Sequence, residues 1–519
     1  MKEKLYSYLP GILLFTIALI IAFATYKDYG ISWDESTQWR LGTETYNYVF
    51  HGSQDLLSSN ARYYGPAFEL PLVIIEKALK LTDTREIFFM RHLVNHIVFL
   101  LSALCGYFLV LRLFKNRMLA CLGFLMLLME PRIYAHSYFN TKDATFLAIF
   151  LMALSLCQYA FSKNKSALIF ILGLACGYTT SIRVMAVMLD TFIFLFLLYD
   201  LTTAYFNNGD TKKALINLIL FSVGCSVMLY VSWPYLWKDP FNNLSIAYTT
   251  MSHYDWDASI LFNGDLVKTT DLPWIYFPTW FIITNPVLWL IAGAGGILVI
   301  IRDFFKKPKQ FFKNTTERNF ILYLLCFGVP IIAVIKLNSV IYDDWRHLYF
   351  VYPSFVLIAL YFINKILVSA KDIYKWIILS LCGLQLVIVG WFMVKSHPFQ
   401  QVYFNELVSH DDEFLRKNYE LEYWGCGFHQ ALDHLASLSK TDSIKVTCNY
   451  DDPLKYNMML MKPEDRNRVE IFPVSQMSRS DYFVTNFRGH PEDYPGKNIE
   501  YSVKVLNSTV LCVFKLKKK

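Results

Sequence analysis

Apolar residues in this chain fall in repeated blocks of roughly 18 to 25, each long enough to cross a hydrocarbon core about 30 Å thick. The blocks are Leu9–Tyr26, Phe88–Phe114, Met118–Tyr134, Ala144–Phe161, Ala167–Ile182, Val184–Tyr205, Ala214–Trp237, Trp280–Ile301, Phe320–Ile335, Leu348–Val368 and Ile373–Val394. They predict a polytopic α-helical membrane protein of about eleven spans. With 55% hydrophobic and 18% charged residues, the 519 residues do not suit a set of soluble domains. The formal charge of +7 is dispersed in short clusters between the blocks. That pattern sets topology and argues against a nucleic-acid partner.

With a cytoplasmic N-terminus, the inside connections carry Lys115 and Arg117, Lys163 and Lys165, Lys212 and Lys213, the run Arg302 to Arg318, and Lys371 with Lys375. Every basic cluster between consecutive spans then lies on one side, as the positive-inside rule requires. The first block is followed by no small-residue cleavage site and reads as a retained span. Outside are loops 27–87 and 238–279 and the tail from Ser396. The division expected is a transmembrane catalytic domain, 1–395, and an extracytoplasmic C-terminal domain, 396–519. In the tail, Ile444–Cys448, Val469–Phe472, Tyr482–Thr485 and Val510–Phe514 have strand character and Gly427–Leu438 helical character, which predicts a small α/β domain. It also holds Cys426, Cys448 and Cys512, an odd number that forces no disulfide.

Ionisable residues gather on the outer side. Asp34 and Glu35 follow the first span, Lys142 and Asp143 begin the fourth, Arg183 sits at the next outer turn, and Arg346 and His347 open the tenth. Adjacent carboxylates diverge by about 100° on a helix, so one of Asp34 and Glu35 works and the other supports it. Alone, an Asp-Glu pair is more often a solvated helix cap, and an interfacial Arg an ordinary anchor. Together they describe a pocket with an acid for proton transfer and cations for a phosphate.

The blocks Trp33-Asp34-Glu35, Tyr63-Tyr64-Gly65-Pro66, Arg91-His92-Leu93-Val94-Asn95, Asn140-Thr141-Lys142-Asp143, Pro273 to Pro278, Asp344-Trp345-Arg346-His347-Leu348, Tyr403 to Leu407 and Glu420 to Gly425 resemble, in this order, the GT-C membrane glycosyltransferases. The branch they resemble includes aminoarabinose transferase and the protein O-mannosyltransferases. The likeness implies a sugar donor carried on a polyprenyl phosphate and used at the outer face of a bacterial cytoplasmic membrane. The acceptor is a glycan, lipid or protein. By position, Asp34 matches the catalytic acid of the first loop, with Glu35 beside it, and Asp143 matches the acid of the second. Arg346 falls where the family places a cation near the donor phosphate; His347, Lys142, Arg183 and Arg62 are further candidates. Tyr63, Tyr64 and Trp345 are suited to stacking on sugar or isoprenoid, and equally to an interfacial belt. The expected cofactor is none, although some GT-C enzymes use a divalent cation.

The chemistry is consistent with that inventory. An attacking hydroxyl or amine must lose a proton, which needs one carboxylate as general base. A lipid phosphate leaves as a stable anion and needs only cations. Three other features are read as decoys. His92 and His96 are four apart on one helical face without H-E-x-x-H. Asp255-Trp256-Asp257 has the look of a nucleotide-sugar motif on the wrong side of the membrane, and Gly293 to Gly296 lies inside a span, where close helix packing is expected. The competing function is a transporter or flippase of a lipid-linked or acidic solute. It would put charges near mid-membrane and show paired repeats, whereas here Asp190 is the exception among uncharged midspan positions.

Overall fold

A computed structural model describes residues 2–252, 256–313, 315–440 and 442–516. Asp255 lies outside the described residues. Nine helices in them are long and apolar enough to cross a membrane, from Tyr6–Thr25 to Asp372–Lys395. A bent pair, Arg117–Leu128 with Pro131–Phe139, makes a tenth candidate, and Ser166–Thr180 is a shorter apolar helix. These correspond one for one with the blocks expected from sequence. The chain is a multi-pass membrane protein.

Two of the expected spans need correction. Met118–Tyr134 is broken, with its halves inclined at 61°. Proline has no N–H to continue the helix and disfavours helical backbone in the residue before it, and Glu130 accordingly adopts φ −75°, ψ 111° before Pro131. The Glu130 carboxylate accepts from Ile133 N at 2.5 Å and restarts the chain as the Pro131–Phe139 helix. The Trp280–Ile301 block is also divided, into Tyr276–Thr284 and Val287–Lys306, at Asn285-Pro286. Asn405 holds that break by donating to the carbonyls of Ile282 and Asn285, each at 2.6 Å.

Small residues set how closely the spans approach. A Cβ on Gly173 would lie 2.4 Å from Phe221 O, and one on Gly224 would lie 2.6 Å from Phe170 O. The Ser166–Thr180 and Thr211–Ser232 helices therefore touch backbone to backbone. Gly296 packs the same way on Ile358 O, at 2.2 Å, so its stretch serves helix packing as expected.

The 27–87 connection contains the helices Glu35–His51, Asp55–Ser58 and Glu69–Ala78 and a 3-10 turn at Asn60–Tyr63. The 238–279 connection contains the helix Pro240–Ser252 and a hairpin of β1 (Ser259–Phe262) and β2 (Asp265–Lys268). Its two-residue turn is Asn263-Gly264, both with positive φ, the sequence that such a turn favours.

In the tail, β3 (Ile444–Cys448), β4 (Val469–Ile471), β5 (Tyr482–Thr485), β6 (Asn498–Val505) and β7 (Ser508–Lys515) form one sheet in the order β4-β3-β5-β7-β6. β3 pairs parallel with β4 and β5, while β7 runs antiparallel to β5 and β6. The helix Phe428–Leu438 buries Phe428, Ala431, Leu432 and Leu435, a spacing that puts them on one face. Cys426, Cys448 and Cys512 are free thiols. Asn457 fixes this region to the loop after the first span. It accepts from Ile31 N at 2.8 Å and donates to Ile31 O at 3.0 Å and to Gly425 O at 2.9 Å.

Candidate functional site

The charged residues of four separate connections meet at one end of the helix bundle. Asp34 precedes the Glu35–His51 helix, and its Oδ2 accepts from Lys142 Nζ at 2.9 Å and lies 3.8 Å from Arg346. Arg346 donates to Asp143 Oδ2 at 2.9 Å, while Arg183 faces Asp143 Oδ1 at 2.7 Å. Asn140 orients this corner. Its Oδ1 accepts from the N–H groups of Lys142 and Asp143, and its Nδ2 donates to Asp143 Oδ2 at 3.0 Å. The Asn140-Thr141-Lys142-Asp143 block is therefore a turn that aims one acid and one cation into the same space.

The two carboxylates differ in access. Asp143 is fully buried and held by two guanidiniums, whereas the Asp34 side chain is 32% exposed. Close packing pushes the Asp34 carboxyl up, but Lys142 and Arg346 more than offset this and hold it below the usual carboxylate value. Asp34 is thus ionised, reachable from solvent and bordered by cations.

Glu35 points elsewhere. It is fully buried, accepts from Ser32 N at 2.8 Å and lies 2.9 Å from His92 Nε2, so it fixes the backbone at Asp34 from behind. His92 and His96 have separate partners, Glu35 and Ser137. Among the described residues no three His, Cys, Asp or Glu side chains are grouped to hold a metal ion.

Of the remaining candidates, Lys142 and Arg183 join the centre, and Tyr64 lies under the Lys142 ammonium at 4.9 Å. A Cβ on Gly65 would come within 1.5 Å of Ser181 O, which explains a glycine beside that tyrosine. His347 packs edge-on against Tyr342, with ring centroids 4.7 Å apart. Arg62 stands apart from the acids of the centre. It donates to Ser59 O at 2.7 Å and covers the Tyr63 ring, which itself packs on Tyr235. Trp345 requires a correction: it is fully buried, donates to Thr284 at 2.9 Å and has no face free for a sugar.

Several residues of the centre come as additions. Asp343 and Asp344 are consecutive residues with φ of 56° and 63°, a left-handed backbone that non-glycine residues rarely adopt. The kink sends their carboxylates to different partners. Asp344 accepts from Arg132 at 3.0 Å, Tyr349 at 3.0 Å and Tyr423 at 2.5 Å. Asp343 lies 3.5 Å from Arg346 and accepts from Arg488 at 2.9 Å. Arg488 belongs to the tail, and it also donates to Tyr423 O at 2.6 Å. Trp424 covers the Arg346 guanidinium at 4.7 Å while donating to His136 at 3.0 Å. Burial pushes the Glu422 carboxyl up to about 8, and its Oε1 accepts from Cys426 N at 2.9 Å.

Replacing Arg488 by Ala leaves Arg346 as the principal cation on Asp343 and draws it from the centre. The protein is expected to lose about 1.5–3 kcal/mol of stability, the contribution of a hydrogen bond to a charged group. Lys at this position restores part of the loss, since it lacks the fork that reaches two acceptors. Thermal unfolding of the purified variants checks this.

Four connections, joined by Arg488 of the tail, thus bring alternating acids and cations together at one end of the bundle. Among solved structures, the archaeal oligosaccharyltransferase AglB from Archaeoglobus fulgidus, in complex with an inhibitory peptide and a dolichol-phosphate, superposes with a TM-score of 0.52 over 93% of this chain and 70% of its own, at 11% identity. The chain has the GT-C fold. ArnT from Cupriavidus metallidurans, bound to undecaprenyl phosphate, aligns over 97% of this chain and 97% of its own at 11% identity with a TM-score of 0.44. Residues 54–238, which include the Asn140 turn and Arg183, match the family model of dolichyl-phosphate-mannose-protein mannosyltransferases. No curated protein matches this chain.

Proposed function

We propose that this protein transfers a sugar from a polyprenyl-phosphate-linked donor to a hydroxyl or amine of a glycan, lipid or protein acceptor, with inversion, at the outer face of a bacterial cytoplasmic membrane. The observation that carries this reading is the convergence of an exposed acid, Asp34, with Lys142, Arg346 and Asp143 in one centre. AglB was solved with a dolichol-phosphate, the kind of lipid this reading gives to the donor.

In the resting site the cations neutralise Asp34. An arriving donor phosphate competes for Lys142 and Arg346, and their withdrawal makes Asp34 a stronger base at the moment an acceptor is needed. Asp34 then takes the acceptor's proton as its oxygen or nitrogen bonds to the anomeric carbon. The bond from that carbon to the phosphate oxygen breaks, and the lipid phosphate leaves with the electron pair. Arg346, fixed by Asp143, and Lys142 stabilise the charge that develops there. Asp143 is a positioning group for the cations, and the reading requires no resident cofactor.

The sidedness rests on the basic clusters. Arg318, which pairs with Asp200 at 2.5 Å, and Lys365, which pairs with Asp303 at 3.0 Å, lie on spans near the ends remote from Asp34. The N-terminus is then cytoplasmic and the 396–519 domain extracytoplasmic. Asp190, expected at midspan, lies instead in the first turn of the Val187–Phe206 helix, where it accepts from Thr180 at 2.7 Å.

Mass spectrometry of envelope glycans and glycoproteins from cells with and without the protein tests the proposal. The expected result is one species lighter by a sugar when the protein is missing. Identical profiles under conditions of confirmed expression would overturn it.

A further inference from the structure

We propose that a cleft between the first span and the C-terminal α/β region holds a membrane lipid by an anionic phosphate head group, at a place separate from the Asp34 centre. The cleft measures about 760 Å³. One wall is Lys27, two residues beyond the Tyr6–Thr25 span, with Arg85 and Phe89 from the first turns of the Thr84–Phe114 span. The facing wall is one side of the Phe428–Leu438 helix and its exit, with His429, Asp433, Ser437 and Lys440 at near-helical spacing. Lys462 and Arg468 close the rim.

Its charge is unbalanced where a ligand would meet it. Asp465 is taken up by Arg468 at 2.7 Å, and Asp433 faces His429 at 3.6 Å. Lys27, Lys440 and Lys462 are exposed, and among the described residues none of them pairs with a carboxylate; Glu464 is the acid that remains. The Lys27 ammonium lies 5.4 Å from the Tyr26 ring and 5.7 Å from the Phe89 ring, so aromatic faces hold it at the cleft.

The occupant follows from what lies along the same helix. Leu13, Ile17, Ile20 and Phe23 are 57%, 48%, 65% and 57% exposed on the first span. In a bilayer they meet acyl chains, and Lys27 stands at the end of that strip where a head group would be. A soluble anion makes no use of the strip. A lipid phosphate uses both parts.

Each interfacial lysine favours an anionic lipid about fivefold, so three together favour it about a hundredfold. The test uses the full-length protein in nanodiscs of phosphatidylcholine alone or with added phosphatidylglycerol, with retained lipid read by native mass spectrometry. Wild type is expected to keep a phosphatidylglycerol molecule through detergent exchange. The Lys27→Gln/Lys440→Gln/Lys462→Gln variant should lose it, while Lys371→Gln/Lys375→Gln at the opposite end should keep it. Lys440→Glu, a single exposed change, serves if the triple variant fails to fold, and it too should release the lipid. Equal retention of phosphatidylcholine, retention unchanged in the cleft variants, or displacement by inorganic phosphate alone would each overturn the proposal. The centre at Asp34 is untouched by these variants, so sugar transfer can fail or persist independently.

Discussion

Asp34→Asn is expected to abolish sugar transfer in a protein that remains folded and inserted. The amide has the same shape as the carboxylate but cannot accept the acceptor's proton, and loss of a general base lowers turnover by about 10²–10⁴. The structural consequence is much smaller. Lys142 loses a partner that is 32% exposed, and a partly exposed pair of this kind contributes on the order of 0.2–1 kcal/mol. Activity and stability therefore separate at this position. The measurement is complementation of cells lacking the protein, reading the glycan mass difference alongside thermal stability of the purified variant. Near-normal transfer by a well-expressed Asp34→Asn protein would remove Asp34 from the role of base. Where Asp34 does act, kcat/KM of the free enzyme has its acid limb below the usual carboxylate range, because Lys142 and Arg346 hold the group ionised.

The spans were legible because a bilayer demands long apolar runs, and the run lengths can be counted without tertiary information. The break before Pro131 was legible only in part: Pro10 and Pro330 lie inside continuous helices, and what distinguishes Pro131 is the Glu130 ahead of it, which caps a new helix. The Asn263-Gly264 hairpin and strand β6, where Ile499, Tyr501 and Val503 alternate with Glu500, Ser502 and Lys504, carried signals that length-based reading passed over. The centre was legible in part. Asp34, Lys142, Asp143, Arg183 and Arg346 share an edge of the bundle once the topology is known. Arg488 was not, because nothing near it in sequence announces that its turn reaches Asp343. Trp345 misled for a related reason: an aromatic beside a cation suits a sugar platform and a core equally, and only packing against Phe281 and Tyr349 decides.

Arg346→Gln is expected to remove transfer and to destabilise the protein, and a second substitution distinguishes the two effects. Arg346 is buried against Asp143 and Asp343, with Trp424 over its face. Taking one partner from a buried pair costs about 3–5 kcal/mol, here toward the lower figure because Arg183 still faces Asp143. Turnover should fall by at least about 10²–10³, the effect of removing one group that stabilises developing charge. In Arg346→Gln/Asp143→Asn the excess negative charge is gone, and about 1–3 kcal/mol of the lost stability should return through their coupling. Transfer should not return with it, because the departing phosphate still lacks its cation. Recovery of both together, read by thermal unfolding and by the glycan assay on the same preparations, would make Arg346 a structural brace and transfer the work at the phosphate to Lys142 alone.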